Sequence, residues 1–304
     1  MKPFKNAIVY RLTREVSFDG LQDCLQACEF YDLGLQDMSR MGWVKPYPEG
    51  GDDDGKLYFS RTGKILLTAK KAEKILPGQV VKRAIDARVK GLESSVGRKL
   101  KKSEKDSVKD EVIHNLLPNA FTKESETSLL IDSVNGIVVV DSSSHKRAED
   151  VLALLRKSIG SLPIVPMQME TPVELTITDW VNSGELPHGL SLLDEVEMKA
   201  TLEEGGVVRC KKQDLVSDEV STHIEAGKRV TSLRLDVEER VQLTLLDDFS
   251  MRKIKFSDML TGQNDDIDRE DKMTRFIADF TLFSAEILSL VSGFSDALGG
   301  EAER

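Results

Sequence analysis

SLLIDSVNGIVVVD, residues 128–141, is the stretch from which the fold of this chain can be read. Two runs rich in Leu, Ile and Val, 128–134 and 137–141, flank the dipeptide Asn135-Gly136. Asn-Gly between such runs predicts a β-hairpin with a two-residue type I′ turn, because both residues accept the positive φ angles that turn requires. Ser142, Ser143 and Ser144 follow directly and supply a helix cap. The helix they open runs along Ala148, Leu152, Leu155 and Ile159 and stops at Gly160. A strand pair followed by an amphipathic helix predicts an α+β fold, with helices covering a sheet face.

Upstream, residues 7–12 read as a strand and 20–30 as a short helix. Residues 57–60 and 65–68 read as a strand pair across Gly63, and PYPEGGDDDG (46–55) is a loop by composition. Pro77 then opens a long helical stretch. Val81, Ile85, Val89, Leu92, Val96 and Leu100 recur at helical spacing, and Arg83, Lys90, Arg98, Lys101 and Lys102 fall on the opposite side. Gly97 predicts a break, and Ser103 with Asp106 predicts the capped start of a second helix along Val108, Val112 and Leu116, ended by Pro118. Beyond Pro163 the chain turns acidic and β-rich. Residues 207–211, 230–237, 241–246 and 251–256 read as strands, the last three as a meander. Ser217 caps a short helix ending at Gly227, and 268–298 is a terminal helix. The expected organisation is a central α/β domain (1–76 and 125–165), an inserted helical basic tip (77–124) and an acidic α+β base (166–304).

The chain has 304 residues, 40% hydrophobic and 31% charged, which excludes a wholly disordered chain, a fibre and a disulfide-stapled miniprotein. No apolar run approaches the ~20 residues of a membrane helix, so no membrane span is expected. Lys5, Tyr10 and Arg11 interrupt what a secretory signal would keep apolar, and a cytoplasmic location follows. Cys24, Cys28 and Cys210 lack CxxC spacing and read as reduced thiols. Formal net charge is −10, from 42 Lys/Arg against 52 Asp/Glu. That number alone argues against a nucleic-acid partner. The distribution of charge points the other way: residues 64–105 hold 13 Lys/Arg against 4 Asp/Glu, whereas residues 166–304 hold 15 against 29. One electropositive surface on an acidic body is the pattern.

Recognisable catalytic chemistry is scarce. Gly50, Gly55 and Lys56 imitate the start of a phosphate-binding loop, but Leu57 follows where Ser or Thr is needed, and Asp52, Asp53 and Asp54 oppose phosphate. The same stretch fails as a calcium loop, with Gly50 and Arg61 at its first and last ligand positions. His114, His145, His188 and His223 share no ligand spacing. Asp265, Asp266, Asp268, Glu270 and Asp271 would serve either as Mg²⁺ ligands of a nuclease or as carboxylates offsetting a helix start; the second reading is preferred. No catalytic residue, metal or cofactor is expected. No zinc-finger spacing or ribonucleoprotein motif occurs, and no aromatic interleaves with the basic residues from Arg83 to Lys105. Lys and Arg without base-reading geometry suit phosphate contacts.

RKLKKSEKDSVKDEVIHNLLPNAF (98–121), DSVNGIVVVD (132–141) and AEDVLALLRKSIGSLPIVP (148–166) resemble RdgC, the bacterial recombination-associated family. GGVVRCKKQDLVSDEVSTHIEAGK (205–228), DDIDRED (265–271) and LGGEAER (298–304) match it as well, and the loop at 47–60 is the least similar part, where the family is expected to vary. The resemblance implies a curved monomer with tip, centre and base, forming a ring-shaped homodimer around duplex DNA. It implies sequence-independent binding of single and double strands, association with the nucleoid, and antagonism of RecA by occupying DNA rather than by catalysis. The competing class is a Mg²⁺-dependent nuclease or nucleotide-driven DNA-processing enzyme. Phosphate contacts are then expected from Arg83, Lys90, Arg98, Lys99, Lys101 and Lys102, with Lys211, Lys212 and Gln213 from the base. Phe121 is expected at a tip interface between subunits. A larger base interface is expected from the meander edges and the face of Phe276, Phe280, Phe283, Ile287 and Leu290.

Overall fold

The computed structural model describes residues 1–48, 55–202 and 205–303. Its centre is the hairpin of β5 (Thr122–Asp132) and β6 (Ile137–Val140). Asp132 pairs with Ile137, so four residues connect the strands rather than the expected two. Asp132 is the reason. Its Oδ1 accepts the N–H groups of Val134 and Asn135, both at 3.1 Å, and its Oδ2 accepts the Asn135 side-chain amide at 2.7 Å. This local acceptor holds the chain in a wider turn. Only Gly136 takes a positive φ there, 65°, so the type I′ expectation is corrected while the hairpin stands.

The hairpin lies within a seven-stranded antiparallel sheet with β1 (Ile8–Leu12), β2 (Ser39–Val44), β3 (Tyr58–Arg61), β4 (Lys64–Lys74) and β7 (Ile164–Pro166). The order is β2-β4-β5-β6-β1-β7, with β3 also on β4. Register makes the burial plain. Leu67, Leu129, Val140 and Ile8 form one cross-strand row, and Leu66, Leu130, Val139 and Val9 the next. Pleating sends the first row to a core closed by α1 (Leu21–Gln26) and α4 (His145–Ile159). The second row faces a core built largely from the C-terminal half. Burial on both faces explains why these strands read as unbroken apolar runs. The Ser144 cap and the Gly160 stop of α4 are as expected.

Strand β2 is not foreseen from sequence because SRMGWV carries little β signal. Its place depends on Gly42: a Cβ there would lie 2.6 Å from the Phe30 backbone. Strand β4 runs six residues past the expected end because each residue to Lys74 has an antiparallel partner on β5.

A second sheet has the order β12-β11-β10-β8-β9. It comprises β8 (Leu190–Ala200), β9 (Val207–Lys211), β10 (Lys228–Val237), β11 (Val241–Leu246) and β12 (Met251–Phe256), with the meander as expected. Helices α5 (Val173–Ser183) and α6 (Asp218–Glu225) pack against β10, and α7 (Asp258–Thr261) and α8 (Lys272–Ala297) follow the meander. Phe276, Phe280, Phe283, Ile287 and Leu290 on α8 are all buried among core residues of both sheets. The expected base interface therefore has no apolar face of α8 to use; that face is the monomer's own core. Of the meander edges, β12 is also covered, by hydrogen bonds with Lys5 and Ala7. α8 is long and apolar enough by composition to cross a membrane, contrary to the sequence expectation, but its Phe-rich face lies inside the fold.

The tip is a helical pair between β4 and β5: α2 (Gly78–Val96) and α3 (Lys102–Leu116). No residue of α2 is buried, whereas α3 buries Val108 and Val112. Gly97 ends α2 at φ 70°. The start of α3 corrects the expected cap: Lys101 takes the capping position, and Glu104 rather than Asp106 is the acidic partner. The Glu104 carboxylate accepts the Lys101 N–H at 2.7 Å. The phosphate-loop and calcium-loop imitations depend on residues 49–54, which lie outside the described residues.

Candidate nucleic-acid interface

The tip displays its charges because it has little else to bury. Arg83 and Lys90 stand seven residues apart, hence on one side of α2, and both are exposed. Lys99 and Lys101 lie in the connection to α3 and Lys102 opens that helix, all three exposed. Together with Lys82 and Lys109, which helical spacing alone did not single out, these seven cations make no ion pair among the described residues. The tip's carboxylates without an ion pair among the described residues are fewer: Asp86, Asp106 and Asp110.

Arg98 departs from the expectation. Its guanidinium grips Glu104 through both terminal nitrogens, at 2.9 and 2.7 Å. Arg98 and then the Lys101 N–H hold the Glu104 carboxyl down to about 2. Arg98 is thus neutralised by its own helix start instead of standing free for phosphate. Arg88 is likewise engaged by Glu111 at 2.9 Å, and Lys105 lies 4.0 Å from Glu93.

The second expected group sits at the end of β9. Lys211 and Lys212 are exposed, and Lys212 has a left-handed backbone, φ 55°. Gln213 is tied back, its amide donating to Glu219 at 2.8 Å. Lys211 borders a polar cleft of about 790 Å³ on the open face of the second sheet, with Glu195, Glu197, Arg209, Arg252 and Lys253. Cross-strand pairs bind these charges together: Arg209 to Glu197 at 2.6 Å and Lys253 to Glu195 at 3.1 Å. The Lys253 bond holds Glu195 below the usual carboxylate range. For Glu197, burial pulls the other way but the bonds from Arg209 and Lys199 outweigh it. That mutual neutralisation makes this face nearer neutral than the tip.

A family model described as "Putative exonuclease, RdgC" matches residues 3–301. Proteins named recombination-associated protein RdgC are similar over 99% of both chains. The protein from Yersinia enterocolitica is 55% identical over 302 residues, that from Serratia proteamaculans 53% over 303, and that from Salmonella typhimurium 52% over 303. The chain belongs to the RdgC family.

In this RdgC-family chain the acidic stretch before α8 is occupied by local structure. Asp271 caps α8, accepting the Thr274 N–H at 3.0 Å; Asp265 pairs with Arg275 at 2.7 Å; Asp268 accepts the Glu270 N–H. Among the described residues no three His, Cys, Asp or Glu side chains gather as metal ligands would. His145, the first residue of α4, lies 2.7 Å from Asp248 in the turn between β11 and β12. Burial raises the Asp248 carboxyl, but Ser250 and His145 together bring it below its ordinary range. The RdgC-family tip also ends in an exposed aromatic. Phe121 is 85% exposed, does not fold back on the helix pair, and its carbonyl accepts the N–H of Ile75, itself 46% exposed.

Proposed function

We propose that this protein is a non-enzymatic DNA-binding protein that acts in recombination by covering DNA without reading its sequence. The observation that carries this reading is the set of tip cations that make no ion pair among the described residues, Lys82, Arg83, Lys90, Lys99, Lys101, Lys102 and Lys109, on a chain of net charge −10. Lys and Arg on convex helices contact phosphates, which position a protein without specifying sequence. Lys211 and Lys212 add a second contact from the base. Two copies close into a ring around single- or double-stranded DNA, with the exposed Phe121 at the tip contact, and so limit RecA-promoted strand exchange on the cytoplasmic nucleoid. The base contact of that ring comes from elements other than the buried face of α8.

Each neutralised phosphate contributes about −0.9 to the slope of log affinity against log salt. Replacing Lys101 and Lys102 with Glu is expected to weaken binding to all random duplexes alike and to flatten that slope by roughly 1.8. Unchanged affinity and slope would sink the assignment. The nuclease reading is tested in the same preparations. Labelled DNA with Mg²⁺ and ATP is expected to stay intact, and degradation that disappears in Asp265→Asn/Asp268→Asn would replace this proposal with an enzyme.

A further inference from the structure

A cation-rich concavity lies away from the tip. A cleft of about 470 Å³ opens between the first two turns of α8, the strands β4 and β5, and the segment after β2. Lys272, Arg275, Phe276 and Asp279 are spaced i, i+3, i+4 and i+7, so α8 presents one face to it. Phe276 roots that face in the core by stacking edge-on to Phe59, ring centroids 5.0 Å apart. Thr68 and Ser128, a cross-strand pair with hydroxyls 3.4 Å apart, supply donors from the sheet side. Lys2, Lys45 and Arg269 add further cations to the lining.

Of the two acids in this cleft, Asp279 is already satisfied. Asp279 accepts from the Met1 ammonium at 3.2 Å and from the Asn264 amide at 2.9 Å. Glu126 lies opposite Lys70 in the β4–β5 register, but that ammonium pairs with Glu124 at 2.8 Å, so Glu126 is the one lining carboxylate without an ion pair among the described residues. Arg275 is held by Asp265. Lys2, Arg269 and Lys272 make no ion pair among the described residues and outnumber Glu126 three to one. Three such cations around one concavity with hydroxyl donors suit a compact ligand carrying more than one negative charge.

We infer that this cleft is a further phosphate-binding site, separate from the tip and from Lys211 and Lys212, taking the polyphosphate of a nucleotide or successive phosphates of a nucleic-acid strand. The inference stands independently of the tip reading. Inorganic tripolyphosphate is the probe, titrated calorimetrically into the full chain. Binding is expected to weaken at least tenfold in Arg269→Ala/Lys272→Ala and less than twofold in Lys101→Ala/Lys102→Ala. Lys2→Gln, on an exposed side chain, is expected to weaken it several-fold without altering thermal unfolding. No binding by the parent, or binding within twofold of the parent in both cleft variants, would overturn the site. Competition separates the two sources in protein whose tip carries Lys101→Glu/Lys102→Glu. Displacement by a deoxynucleoside triphosphate but not by a short duplex supports a nucleotide ligand, and displacement by the duplex supports a strand.

Discussion

Helices α2 and α8 begin from the same kind of sequence, a stripe of apolar residues at helical spacing, and end in opposite situations. In α8 the stripe is closed on all sides: eight of its residues are buried, four of them Phe. In α2 no residue is buried, and Val96 remains 53% exposed. The periodicity is equal; the partner is not. Two sheets pack against α8, whereas α2 has only α3. An apolar stripe therefore shows which way a helix faces, and the mass beyond it decides how much stability that facing returns. The consequence for function is direct. The helix that contributes least to the core is the one left to display charge.

The sharpest way to break this contrast is by truncation. Phe280→Ala leaves a large cavity at a fully enclosed site and is expected to cost about 3–5 kcal/mol. Val89→Ala on α2 is expected to cost under about 1 kcal/mol, since little area leaves water there. Urea unfolding of the two variants compares them, and equal losses would contradict the division between the enclosed α8 and the exposed α2. A smaller effect concerns charge. Glu104→Gln removes the carboxylate that neutralises Arg98 and is expected to steepen the salt dependence of DNA binding by about 0.9 per released cation. A slope identical to the parent's would place Arg98 outside the contact. The smallest effect is in pH. Glu104 titrates at about 2 in the folded chain, below an unfolded carboxyl, so its contribution to the start of α3 is whole above the ordinary carboxylate range. It is lost as pH falls from there through about 2. The protection factor of the Lys101 amide, the unprotected exchange rate at the same pH divided by its own, is expected to fall over that window and to be flat across it in Glu104→Gln.

The same contrast accounts for what could be read in advance. Strands β9, β11 and β12, the stop of α2 at Gly97 and the cap of α4 follow from local chemistry and were legible. What escaped notice depends on neighbours distant in sequence. Strand β2 exists because β4 offers it an edge, and β8 because β10 does, with two shifts of register that blur its alternation. The hairpin turn was misread because the decisive residue, Asp132, stands outside the Asn-Gly pair that signals it. At the site, the position of the cations could be read from spacing, but their availability could not. Arg98 and Lys101 look alike in sequence; one is clasped by Glu104 and the other is free of ion pairs. The Phe-rich face of α8 is the reverse case, correctly seen as apolar and wrongly assigned to a partner outside the chain.

One feature of the first sheet bears on how such a protein can change over generations. Strands β4 and β5 pair along their full length, and the pairing continues to Ile75 and Phe121, so the chain leaves for the tip and returns from it at adjacent points. Everything between those points is an insertion into a hairpin that is already closed beneath it. Helices of other length or charge can occupy that position while every buried row of the sheet stays as it is. Divergence of the tip is thereby uncoupled from the inheritance of the fold.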